Sequence, residues 1–174
     1  MTTPATNPAA LLPINVLFLC THNSARSILA EATLNHIGRG RFKGYSAGSS
    51  PRENQQPNPL GLQTLQTAGI STEGLTSKSW DEFAKPDAPH MNLVITVCDN
   101  AAGEVCPYWP GHPATAHWGY ADPSAIEGTD ADRLEAFRQT LHAIRRRLDL
   151  LVNLPPASVD RLVLQTAARD LSKS

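Results

Sequence analysis

The sequence predicts an α/β fold built on a parallel β-sheet, and three observations carry that prediction. Strand-like and helix-like stretches alternate along the chain, the pattern of a parallel sheet covered by helices on both faces. The apolar run Ile14 to Leu19 reads as a buried parallel strand. Directly after it, Cys20-Thr21-His22-Asn23-Ser24-Ala25-Arg26-Ser27 forms a short loop that leads into a helical stripe. Open α/β sheets place their ligands there, beyond the carboxyl end of a strand.

Residues 1–13 hold three prolines and several Thr and Ala, and read as a flexible leader outside the fold. After the reactive loop, Ala25, Ile28, Leu29 and Ala32 recur at helical spacing and Gly38 marks the helix end. Gly44 to Ala47 reads as a short second strand, and Pro59 to Ala68 as a helix with Leu62 and Leu65 inward. Trp80 to Ala84 suits another short helix, Asn92 to Cys98 a third strand and Ala114 to Trp118 a fourth. From Asp130 to Val152, the residues Leu134, Phe137, Leu141, Ile144, Leu148 and Leu151 follow one another at spacings of three and four, the signature of an amphipathic helix docked on the sheet. Arg145, Arg146 and Arg147 fall mostly off that stripe and read as a solvated face. Pro155 and Pro156 end the helix, and Ser158 is placed to cap a last one running to about Leu171. Its Val159, Leu162, Val163 and Leu164 suit packing on the domain or on a second subunit. The chain thus divides into a leader (1–13), one catalytic domain (14–154) and a C-terminal helical extension (155–174).

Composition narrows the partners. With 174 residues, a net charge of −1 and 41% hydrophobic residues, the chain is large enough for one proper core and carries no basic excess of the kind nucleic acid attracts. No run of about 18 apolar residues offers a membrane span, and no charged-then-apolar signal segment opens the chain, so a cytoplasmic enzyme is expected.

The residues of the loop point to oxyanion chemistry. Five residues separate Cys20 from Arg26, enough for a chain reversal in which successive backbone N–H groups converge on one tetrahedral anion. The helix that follows adds its unsatisfied N–H groups and positive dipole end. Arg26 supplies a planar fork that matches two oxygens of a phosphate-like ligand. The same positive field favours the thiolate of Cys20, the nucleophilic form. The competing reading of Cys20 is a small core hydrophobe. His22 stands beside the anion either as a hydrogen-bond donor or as a solvated loop residue.

Cys98 and Cys106 stand apart from this loop. Seven intervening residues do not match the short cysteine pairs of zinc sites, no paired histidines complete a ligand set, and no metal is expected. They read as core cysteines or as a transient redox pair. Their place after a strand that should end near the Cys20 loop favours the redox reading. Asp122 precedes Pro123, which holds it extended and suits a carboxyl projecting toward a neighbouring site as general acid. An Asx-type turn residue is the equal alternative.

Taken together, Cys20-Thr-His-Asn-Ser-Ala-Arg26-Ser27, Tyr45-Ser46-Ala47-Gly48, Cys98 with Cys106, and His117-Trp118-Gly119 with Asp122-Pro123 resemble the thiol-coupled arsenate reductases built on the low-molecular-weight protein tyrosine phosphatase fold. The resemblance spans roughly Asn15 to Val152. It implies a three-layer sandwich with a four-stranded parallel sheet, flanking helices and the reactive loop after the first strand. It also implies reduction of arsenate to arsenite with electrons from thioredoxin or from glutathione and glutaredoxin, with phosphate or sulfate as substrate analogues and no cofactor.

Carried over residue by residue, Cys20 is the nucleophile, Arg26 and the loop amides from Thr21 to Ser27 bind the oxyanion, and Asp122 is the acid. Ser27 would hydrogen-bond the Cys20 thiolate, and Asn23 would hold the loop in its unusual turn. Cys98 would attack the Cys20 arsenic adduct, and Cys106 would then attack Cys98. Several members of the family bind a monovalent cation using residues that match Asn23, Glu31 and Ser46, plus an Asp where this chain has Lys78, so the Lys78 ammonium is expected in the cation's place. The alternative is a phosphotyrosine phosphatase of the same fold, which needs only Cys20, Arg26 and Asp122. Such phosphatases typically carry Tyr after the Asp-Pro, whereas Ser124-Ala125 follow here. A non-catalytic oxyanion binder ranks third, since it has no use for Cys106.

Overall fold

The computed structural model describes residues 13–99, 114–154, 165 and 168–172. All of the expected leader (1–13) but Pro13, together with Cys106 and the apolar residues Val159, Leu162, Val163 and Leu164, lies outside them. The described strands are β1 (Ile14–Cys20), β2 (Phe42–Gly48), β3 (Leu93–Thr96) and β4 (Ala114–His117). They form one parallel sheet in the order β2-β1-β3-β4. The described helices are α1 (Arg26–Ile37), α2 (Pro59–Thr67) and α3 (Asp130–Val152), with 3₁₀ turns at Trp80–Phe83 and Pro123–Ala125. From β1 the chain crosses to β2 on one side, and β3 returns on the other. The loop after β1 therefore sits at the switch point where this class of sheet opens a crevice.

Alternation along β1 builds the two halves of the core. Val16, Phe18 and Cys20 face a helical layer that contributes Leu29, Leu65, Phe137 and Ile144. Leu17 and Leu19 face the opposite way, toward Ala47, Met91 and Val94, with Tyr45, Trp80 and Phe83 packed over them. Both faces of β1 are thus dry, as a central parallel strand requires. The three layers expected from the sequence are present.

Most elements fall where the sequence places them; β2 runs from Phe42 to Gly48, beyond the expected Gly44 to Ala47, because the whole stretch pairs with β1, and there are three further adjustments. β3 stops at Thr96, because its pairing with β4 ends at Thr96 and His117; Val97 still donates to the Leu19 carbonyl at 2.9 Å, but Cys98 leaves the ladder. In α2, Gly61, Thr64 and Leu65 are buried and Leu62 is only half-buried. The cause is Gly61, which lies against the Phe137 ring and lets α2 approach α3 on that side. Arg147 is half-buried rather than solvated: its guanidinium stands 5.0 Å from the Tyr120 ring centroid and donates to the Ser172 carbonyl at 3.2 Å. α3 begins with a capping box in which the Thr129 hydroxyl accepts from Asp132 N–H and the Asp132 carboxylate accepts from Thr129 N–H.

Residues beyond α3 close the outer side of β4. Gln165 accepts from Thr115 N–H at 3.1 Å, Arg169 donates to the Thr115 carbonyl at 3.0 Å, and the buried Trp118 indole N–H donates to the Ala168 carbonyl at 2.8 Å. No described helix is long and apolar enough to cross a membrane. Replacing Trp118 by Phe keeps an aromatic ring, though a smaller one, and leaves the buried Ala168 carbonyl without its donor. Chemical denaturation is expected to show a loss of about 1–3 kcal/mol of stability.

Candidate active site

The loop after β1 is held from four directions. Asn23 adopts a left-handed conformation, φ 56°, which asparagine tolerates better than most residues. Ser77 Oγ donates to the Asn23 carbonyl at 2.6 Å, Asn58 N–H to the Ser24 carbonyl at 2.9 Å, and Ser50 N–H to the Thr21 carbonyl at 2.8 Å. At Gly48, which ends β2, a Cβ would come within 2.7 Å of the Thr21 carbonyl and 3.0 Å of Asn23 N. Only glycine admits the loop at this approach. Tethers pulling the carbonyls outward leave the loop N–H groups for the interior, the arrangement of an anion-binding nest.

The nucleophile candidate sits inside. Cys20 is buried, 3% exposed, and its thiol is free. Its Sγ lies 2.9 Å from Ser27 Oγ and 3.2 Å from Asn23 N, which donates to it. Partner chemistry sets the direction of the Ser27 contact. Lys78 N–H can only donate, and it reaches Asn23 Oδ1 at 2.9 Å; the Asn23 Nδ2 group therefore points at Ser27 Oγ, 2.8 Å away. That amide nitrogen is also purely a donor, so Ser27 accepts from Asn23 and turns its own hydrogen to Cys20 Sγ. Two donors thus face the sulfur, which suits a thiolate.

Arg26 opens α1 and is 6% exposed. It donates to the Tyr120 carbonyl at 2.9 Å and stands 3.8 Å from Asp122 Oδ2. Asp122 is the turn residue that one sequence reading expected, with its second carboxyl oxygen left over for Arg26. Its Oδ1 accepts from Ser124 N–H and Ser124 Oγ, at 2.9 and 2.7 Å, and so caps the 3₁₀ turn, while Oδ2 is turned to Arg26 and the loop. His22 donates its Nδ1–H to the Ser50 carbonyl at 2.9 Å, since a carbonyl only accepts. That nitrogen is committed within the protein, so of the two expectations for His22 a ligand contact is open only to Nε2.

Beside the loop, Glu31 accepts from Ser46 Oγ, and the Lys78 ammonium donates to the Ser46 and Thr76 carbonyls at 3.2 and 2.6 Å. Burial pushes the Glu31 carboxyl above its ordinary range, opposed by the Ser46 hydrogen bond and the Lys78 charge. Burial likewise pulls Lys78 below its ordinary range, opposed by Glu31 and Glu82. The ammonium, Glu31, Ser46 and Asn23 form one connected group against the back of the loop.

Cys98 comes to the same end of the sheet. Val97 is bonded to Leu19, the neighbour of Cys20, and Cys98 follows it, fully buried and disulfide-bonded. Cys106 lies outside the described residues. Among the described residues, the structure therefore gathers Cys20, Asn23, Arg26, Ser27 and Asp122 around one loop, with Cys98 on the neighbouring strand end. Sequence reading missed the backbone partners: the Tyr120 carbonyl beneath Arg26 and the Lys78 N–H that orients Asn23. Side-chain motifs carry no signal for either. The close approach at Gly48 was signalled by a glycine ending the second strand.

Comparison with known proteins bears on the fold that carries this loop. A family model described as low molecular weight phosphotyrosine protein phosphatase matches residues 15–163. Arsenate reductases of Halalkalibacterium halodurans and Bacillus licheniformis are 35% and 37% identical over 133 and 135 residues, covering 76% of this chain and 91% of each relative. A solved structure described as an arsenate reductase in oxidized state aligns with a TM-score of 0.62 at 24% identity, covering 84% of this chain and 99% of that one. The Corynebacterium glutamicum thioredoxin-dependent arsenate reductase aligns with a TM-score of 0.53 at 27% identity, covering 82% of this chain and 64% of that one. By matched length, identity and fold, the chain belongs to the low molecular weight phosphotyrosine protein phosphatase family, among the members related to arsenate reductases.

Proposed function

We propose that the protein reduces arsenate to arsenite through three cysteines. The observation that carries this reading is a free, doubly hydrogen-bonded Cys20 inside an anion loop, at the same sheet end as a disulfide-bonded Cys98. A simple phosphatase has no use for the second feature. The chain contains three cysteines and Cys20 is free, which supports Cys106 as the partner of Cys98.

Arsenate enters the loop as a tetrahedral oxyanion held by the N–H groups and Arg26. Cys20 Sγ attacks arsenic and a hydroxyl leaves as water, protonated by Asp122. Ser27 and Asn23 N–H steady the sulfur charge before the bond forms. Cys98 then attacks Cys20 Sγ. A sulfur–sulfur bond forms, the sulfur–arsenic bond breaks with its electron pair on arsenic, and arsenic(V) leaves as arsenite, arsenic(III). Cys106 attacks Cys98, which releases Cys20 as thiolate and leaves a Cys98–Cys106 disulfide. An external dithiol, thioredoxin or a glutathione and glutaredoxin system, returns it to two thiols. The names of the relatives, one of them thioredoxin-dependent, support this assignment.

Arsenate-dependent NADPH oxidation, coupled first through thioredoxin reductase and thioredoxin and then through glutathione and glutaredoxin, tests the relay. Turnover is expected in wild type and is expected to vanish in both Cys98→Ser and Cys106→Ser. Aryl phosphate hydrolysis that survives both substitutions, without arsenate turnover, would assign the chain to the phosphatase reading that its family also contains.

Two positions refine the reading. Asn23→Ala removes the tolerated left-handed residue and the donor that turns Ser27 toward Cys20. A fall of about 10- to 100-fold in arsenate kcat/KM is expected, since one lost buried hydrogen bond of this kind costs about 1–3 kcal/mol. Lys78 occupies the place of a monovalent cation, its ammonium near Glu31 and Ser46. Wild-type activity is therefore expected to be indifferent to potassium, and Lys78→Ala to gain several-fold on its addition. Strong potassium activation of the wild type would contradict this role.

A further inference from the structure

His117 ends β4 and is paired in register with Thr96 on β3. Its Nδ1 lies 2.7 Å from Thr96 Oγ1. Two residues beyond Thr96 is Cys98, with no exposed surface. Gly119 joins the two: a Cβ built there would meet His117 Nε2 at 3.2 Å and the Cys98 carbonyl at 3.5 Å. The imidazole edge and the Cys98 backbone therefore converge on one point that glycine leaves open. Cys98 is disulfide-bonded and sealed from solvent here; in the relay it attacks as a thiolate, and a thiol released into that dry surrounding needs a protein base to take its proton.

We propose that His117 Nε2 accepts the Cys98 proton as Cys98 Sγ attacks Cys20, a role that rests on the arsenate relay proposed above. The proton moves from Cys98 Sγ to Nε2, the sulfur pair forms the bond to Cys20, and the pair of the broken sulfur–arsenic bond stays on arsenic. The imidazolium then returns its proton to the departing arsenite oxyanion. This requires Nδ1 to donate to Thr96 Oγ1, leaving the Nε2 lone pair free, so Thr96 acts as a positioning residue through its hydroxyl. Burial holds the His117 ring below the ordinary histidine range, so that it starts neutral near pH 7, the form able to accept. Two charges face it: Asp99, beside Cys98, favours the imidazolium, and Arg147 on α3 opposes it.

Reciprocal linkage supplies a test that does not need arsenate. If Cys98 and His117 share a proton, opening the disulfide must change how His117 titrates. Imidazole titration by NMR in the oxidised and the reduced full-length protein is expected to show about tenfold lower proton affinity at His117 after reduction, because the Cys98 S–H then donates to Nε2 and holds the ring neutral. Equal titration in both states would overturn the proposal, whether or not the protein turns over arsenate. With arsenate, single-turnover formation of the Cys20–Cys98 disulfide is expected to slow about 10²-fold in His117→Asn and to rise steadily with pH as hydroxide replaces the base. Asn keeps a donor for Thr96 but cannot take the proton. Cys20 alkylation by iodoacetamide is expected to stay at the wild-type rate in that variant. A wild-type rate and pH profile for disulfide formation would overturn the role. Should His117→Asn fail to fold, Thr96→Val provides the same readout, with an intermediate loss expected and no change in its pH profile counting against the proposal.

Discussion

Everything at the loop depends on the orientation of one amide. The Lys78 N–H decides which end of Asn23 is oxygen, Asn23 thereby decides which partner Ser27 accepts from, and Ser27 is left with a hydrogen for Cys20. A backbone donor at the start of this chain is the reason it is robust, because an N–H cannot reverse its role as a hydroxyl can. The left-handed φ at Asn23 is one cost of bringing that amide into place, and the tethers from Ser77, Asn58 and Ser50 hold the strained loop against relaxation.

The sheet supplies the second half of the arrangement. Because β1 is central and paired on both sides, its end carries Cys20 with Gly48 on one flank and the approach to Cys98 on the other. The Cys20 loop and Cys98 come together through strand order alone, without either segment needing contacts of its own to find the other. Asp122 reaches the same site over the top of β4, with one carboxyl oxygen spent on its own turn and the other facing Arg26.

Much of this was legible in the chain. The apolar run Ile14 to Leu19 and the three-and-four periodicity from Asp130 to Val152 fell almost residue for residue where expected. Cys20 and Arg26 stood out by context rather than by spacing, a thiol and a guanidinium in one short loop between a buried strand and a helix, whereas Asp122 read equally as an acid or a turn residue; the structure brings Arg26 and Asp122 within 3.8 Å. Periodicity was less informative where a glycine decides the packing, as at Gly61, which turns α2 so that Leu62 is only half-buried. It was also silent about Arg147, which lies mostly off the apolar stripe yet finds Tyr120 and the Ser172 carbonyl, contacts made by residues distant in sequence. Backbone partners such as the Tyr120 carbonyl are beyond any reading of side-chain identity.

The side chains laid along β4 have a consequence for how molecules meet one another. A strand at the margin of a sheet offers bare N–H and C=O groups on which a foreign strand can grow, and aggregation often begins there. Thr115 is such a position, and Gln165 and Arg169 already occupy both of its backbone groups, as a neighbouring strand would. Those side chains come from a segment past the matched family region, so this chain carries, in its own tail, a seal against strand-to-strand assembly at that margin.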